Sequence, residues 1–175
     1  MIGKPLRGVE TANKLGLSIA DLTNGYQAAT TRAEFCRAAV NFLRKYGYNV
    51  DVVTPKIFAD TSDKDIGIAA TLKITSGTDT AKNLFTPDRK LTREEAAALL
   101  KNVLDVLGVK YDATAVVWAD AKDISAYAQT AANAMYNATV MGGTSTSKLV
   151  FEPKSPYTHE ASIVTFVKLW EFVKK

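Results

Sequence analysis

The sequence predicts an all-α, mainly helical fold: three tandem helix-loop-helix repeats arranged as a pseudo-threefold bundle. Three observations predict it. A Thr-initiated tetrad occurs three times, at Thr31-Arg32-Ala33-Glu34, Thr92-Arg93-Glu94-Glu95 and Thr158-His159-Glu160-Ala161. Behind each tetrad runs an apolar stripe with the i, i+4, i+7, i+8, i+11 spacing of an amphipathic helix. Ahead of the second and third tetrads the same punctuation recurs, an aromatic-x-Asp opening, a glycine turn and a Phe-x-Pro loop. Repetition at this period marks an array of similar units. The expected boundaries are about 7–50, 55–110 and 115–175, within one domain covering 1–175.

In the first unit, Val9 to Leu17 reads as a helix and Tyr26 as a displaced loop aromatic, with no aromatic-x-Asp before them and no glycine in register. Thr31 and Glu34 have the spacing of a capping box, in which each side chain satisfies a backbone N–H left open by the first helical turn. Phe35, Ala39, Phe42, Leu43 and Tyr46 form the stripe that follows. In the second unit Phe58-Ala59-Asp60 opens a helix, Gly77 ends it at a position expected to need positive φ, and Phe85-Thr86-Pro87 leads to the next box, Thr92 with Glu95. Ala96, Leu100, Val103, Leu104 and Leu107 then repeat the stripe. The third unit matches with Trp118-Ala119-Asp120, Gly143, Phe151-Glu152-Pro153 and a stripe of Ser162, Phe166, Leu169, Trp170 and Val173. Its tetrad has Ala161 where the box needs glutamate, so its last helix should be less well capped. The linkers Gly47 to Lys56 and Gly108 to Val117 carry turn and β-branched residues suited to short extended segments.

The arginine of the tetrad has no role in capping. A cation in the first turn opposes the helix dipole, at a cost of roughly 0.3–1 kcal/mol where exposed. An anion would reverse that sign, because a guanidinium beside free helix N–H groups is a good receptor for a carboxylate or phosphate.

Composition narrows the function. The net charge of +4 and pI near 9.1 favour anionic partners. Lys and Arg are scattered and no basic run is interleaved with aromatics, so nucleic acid is not expected. No apolar run is long enough to insert in a membrane, and the N-terminus lacks the apolar core of a signal peptide. The chain reads either as cytoplasmic or as a fragment of a larger exported protein. One cysteine and one histidine, in different repeats, offer neither a multi-cysteine metal site nor a converging nucleophile and base. Cys36 sits in an apolar helical pattern and reads as a small buried hydrophobe. Asp60, Asp63 and Asp65 lack the glycine and the terminal glutamate of a calcium loop and read as a solvated helix start. No enzyme activity, cofactor or metal is expected.

The ordered TRAE-type tetrads with their matching flanks resemble S-layer homology domains of Gram-positive bacterial cell-surface proteins, over about Val9 to Val173. The resemblance implies a non-covalent anchor on secondary cell-wall polysaccharide, holding pyruvylated or otherwise anionic sugars in grooves between repeats. It places the protein outside the cell, at the wall or S-layer, as a fragment of a larger surface protein whose export signal lies elsewhere. By position it implies Arg32 and Arg93 as carboxylate-binding residues, with Asp60, Asp120, Gly77 and Gly143 at the groove mouths. The two aspartates serve equally well as helix caps. His159 replaces the arginine of the third groove; the helix dipole disfavours its protonated form, so that groove should be weak near pH 7 and strengthen in acid. One or two competent grooves are expected. The alternative is a structural or protein-interaction module that keeps the fold without a sugar site.

Overall fold

The computed structural model describes residues 5–175. Six α-helices form three pairs: α1 (Pro5–Leu15) with α2 (Arg32–Tyr46), α3 (Lys64–Thr71) with α4 (Arg93–Leu107), and α5 (Gln129–Asn137) with α6 (His159–Val173). The described residues contain no β-strand, only isolated bridges. The linker after α2 holds a 3₁₀ turn at Val50–Val52 where an extended segment was expected. Gly16, at φ +66°, ends α1 before the expected Leu17.

The tetrads start the long helix of each pair as the sequence predicts. Thr31 and Thr92 are N-caps with reciprocal capping boxes to Glu34 and Glu95. Thr158 accepts from the Ala161 N–H but has no glutamate to return the bond. Gly47 and Gly108 end α2 and α4 in the left-handed region, donating their N–H groups to the last turn.

The pairs interlock cyclically. Each short helix packs on the long helix of the preceding pair, α3 on α2 and α5 on α4, and α1 closes the ring against α6. At that closure a Cβ on Gly8 would lie 2.8 Å from the Val164 side chain. The three stripes point inward. Phe35, Ala39, Phe42, Leu43, Ala96, Leu100, Val103, Leu104, Ser162, Phe166 and Leu169 are all buried, while Tyr46, Leu107, Trp170 and Val173 in the last turns are half-buried. The Phe166 ring lies 5.0 Å from Phe35 and 5.9 Å from Phe42, which places the α2–α6 contact in the core.

A triangle of backbone hydrogen bonds joins the residues that precede the three caps. Thr30 N–H donates to the Tyr157 carbonyl (2.7 Å), Tyr157 N–H to Leu91 (3.0 Å), and Leu91 N–H to Thr30 (2.9 Å). Around it, the first two N–H groups of each long helix are taken by the loop of another pair. Arg32 and Ala33 donate to Arg89 and Pro87, Arg93 and Glu94 to Ser155 and Pro153, and His159 and Glu160 to Ala28 and Tyr26. Groups that a helix start leaves open are thereby spent on joining the units, so these N-termini are not free anion sites.

Candidate functional site

At each seam the second residue of the tetrad reaches across to the turn of the neighbouring unit. Arg32 is 8% exposed. Its Nε donates to the Phe85 carbonyl (3.0 Å), its Nη2 to the Ser76 carbonyl (2.7 Å), and its guanidinium lies 4.5 Å from the centre of the Phe85 ring. Burial lowers its pKa, while Asp60 and Glu95 act in the opposite direction. Nη1 has no acceptor among the described residues. Arg93 makes the looser version, with Nη2 on the Gly142 carbonyl (2.5 Å), the guanidinium 5.2 Å from the Phe151 ring, and a buried Nε without a partner.

His159 occupies the same place at the third seam but does not face a groove as expected. It is 5% exposed, with Nδ1 on the Asn24 carbonyl (2.9 Å) and Nε2 on Glu34 Oε2 (3.2 Å). Both ring nitrogens are spent within the protein. Asn24 therefore corresponds to Ser76 and Gly142 as acceptor, and Gly25, at φ +65°, is the first unit's turn glycine. The Asn-Gly turn signal was present in the sequence. It was hidden because this unit lacks the seven-residue loop that separates the turn glycine from the Phe-x-Pro segment elsewhere. The Tyr26 carbonyl stands where those of Pro87 and Pro153 stand.

The aspartates do not cap helices. Asp60 accepts from the N–H groups of Phe85 (2.9 Å) and Thr86 (2.7 Å), and Asp120 from Phe151 (2.9 Å) and Glu152 (2.7 Å). Each clamps a Phe-x-Pro loop whose middle residue is left-handed, Thr86 at φ 54° and Glu152 at φ 55°. Such a conformation costs a non-glycine residue about 1–3 kcal/mol unless its surroundings hold it. Burial opposes ionisation of Asp60, but the two amides outweigh it and hold its carboxyl below the ordinary range. The cap of α3 is Asp63, three residues later. Asp63 and Asp65 are not simply solvated: they pair with Arg37 and Arg44 of α2, both at 2.7 Å. No group of residues suited to a metal occurs among the described residues.

Neither Gly77 nor Gly143 has positive φ; Gly77 is needed for space against backbone, while Gly143 faces only the movable tip of a side chain at close range. A Cβ on Gly77 would lie 2.6 Å from the Leu84 carbonyl oxygen, and one on Gly143 2.9 Å from the Leu149 side chain. These close approaches fold the loop back over the turn that receives the arginine.

Two clefts of about 420 Å³ adjoin the arginine seams. The first is lined by Arg32, Lys73, Ser76, Glu95, Asn102 and Tyr127, bringing side chains from all three pairs together. Tyr127 is 60% exposed, and its hydroxyl donates to buried Glu94, which also accepts from Ser125 and Lys154. Glu95 is paired with Arg89. The second cleft is lined by Tyr136, Asn137, Thr139, Met141, Gly142 and Lys168, with Lys168 in the place of Asn102. Asp60, Asp120 and Gly77 line neither cleft; Asp120 lines a separate hollow with Glu152 and Lys154. Lys73, Asn102 and Tyr127 carried no motif signal; Lys73 ends α3 in the left-handed region at φ 64°, a place expected for glycine. Cys36 is buried as expected, its thiol pushed up to about 12 by desolvation.

Compared with models of known families, residues 59–97 match the S-layer homology domain. That stretch is similar to an S-layer homology domain. The match runs from the residue before the Asp60 clamp, through Gly77 and the Phe-x-Pro loop, to the Arg93 tetrad and the first turn of α4. S-layer homology domains in general are cell-wall anchoring modules of the cell surface. The search of curated proteins gave no match. No helix among the described residues is long and apolar enough to cross a membrane.

Proposed function

We propose that the three helix pairs are three S-layer homology repeats forming one anchoring domain, and that it binds secondary cell-wall polysaccharide through an anionic sugar such as a pyruvylated aminosugar. The observation that carries this reading is the first cleft. Arg32 Nη1 and Lys73 supply positive charge there, Ser76 and Asn102 supply polar contacts, and Tyr127 exposes an aromatic face of the kind that packs on a sugar ring. Arg32 contributes one free nitrogen rather than a bidentate fork, because Nε and Nη2 already serve Phe85 and Ser76. Lys73 then provides the second contact to a carboxylate.

Lys168 gives the second cleft the same sign of charge, and its Gly142 is the residue whose carbonyl takes Arg93, so it is the second candidate site. Asp60, Asp120, Gly77 and Gly143 act by holding the loops that frame both. The parent protein of such a module would sit at the cell wall or S-layer.

The purified chain should sediment with isolated Gram-positive wall material and be released by soluble wall polysaccharide. If it stays in the supernatant with walls that carry pyruvylated polysaccharide, it is a structural or protein-interaction module that keeps the fold alone.

A further inference from the structure

The seam between the third and first units is the only one of the three closed by a titratable ring in place of an arginine. The Asn24 carbonyl can only accept, so the 2.9 Å contact requires a proton on Nδ1. Glu34 Oε2, at 3.2 Å from Nε2, already accepts from the Thr31 N–H at 2.7 Å. A neutral ring that keeps Nδ1–H for Asn24 would turn an unprotonated Nε2 toward carboxylate oxygen, setting two acceptors face to face. A doubly protonated ring satisfies both contacts. The other titratable groups around this seam are Glu160 on the same helix, whose carboxylate takes the Gln27 amide (2.7 Å), and Tyr26, which offers its carbonyl to Glu160 N–H.

We propose that this seam is a pH-sensitive latch. With His159 doubly protonated, the ring bridges Asn24 and Glu34 and holds the first unit, through its 24–28 loop, onto α6. When the ring is neutral the bridge to Glu34 is lost and the seam loosens, while the Arg32 and Arg93 seams stay closed. Burial opposes ionisation of Glu34, but hydrogen bonds from Thr31 and His159 outweigh it and hold its carboxyl low. That carboxylate's contribution is present above the ordinary glutamate range and is lost as pH falls through its lowered folded value. The histidine bridge has the opposite dependence: it needs a proton on both ring nitrogens and is lost when Nε2 gives its proton up.

The three seams contain matched amide pairs, so the molecule carries its own controls. Hydrogen-exchange protection should be measured at pH 5.5 and pH 8.5 for His159 and Glu160, and for Arg32, Ala33, Arg93 and Glu94. The expected result is a fall of about tenfold in protection of His159 and Glu160 at the higher pH, with the other four changing together and less. His159→Arg should abolish the difference, since it places a permanent cation where the other seams have one. Equal changes at all three seams in the wild type would overturn the latch, as would a His159→Arg protein that keeps the wild-type pH response.

Discussion

Replacing Phe166 with alanine is expected to destabilise the protein by about 3–5 kcal/mol, the range for deleting a buried phenylalanine ring. Phe166 packs against Phe35 and Phe42 where α6 meets α2, so the cavity would open beside the seam that closes the ring. The α2 stripe would lose its partner, and the pairs depend on one another through shared seams. Urea unfolding should therefore shift to a lower midpoint as one transition. A loss below about 1 kcal/mol would mean that α6 does not pack centrally.

Arg32→Ala should cost about 2–4 kcal/mol, because it removes two hydrogen bonds from a charged group and leaves the Phe85 and Ser76 carbonyls short of a donor. Lysine should rescue only part of this, since one ammonium cannot reproduce a fork that reaches two carbonyls while stacking on Phe85. Arg93→Ala should cost less than half as much: that side chain is half-buried, makes one carbonyl bond and leaves its Nε unpaired. Chemical denaturation of the three variants would order them. Equal costs at positions 32 and 93 would refute the difference in seam quality.

These expectations also show where sequence reasoning was sound. The tetrads and stripes specified the long helices and their buried faces because capping and helical periodicity are local properties. The same locality explains what was misread. Arg32 stood out as a cation at the wrong end of a helix, but its partners are carbonyls 44 and 53 positions away, and no local pattern announces them. Asp60 was read as either a helix cap or a groove-mouth residue, whereas its carboxylate accepts from amides 25 and 26 residues on. Gly77 was assigned to conformation when its reason is contact with the Leu84 carbonyl. His159 looked exposed at a helix start because the loop that buries it comes from the other end of the chain. Lys73, Asn102 and Tyr127 share a cleft only because of the interlocking, so spacing could not unite them.

The binding proposal is tested most directly by calorimetric titration of a pyruvylated aminosugar into the wild type and into Lys73→Asn. Asparagine removes the charge yet tolerates the left-handed backbone at that position, and Lys73 is exposed, so stability should be unchanged. The account predicts wild-type binding at no more than two sites, and in Lys73→Asn a loss of about tenfold at the first, the effect of removing one charge-assisted contact. Equal affinity in the two proteins, both folded, would contradict the assignment of the anionic sugar to this cleft.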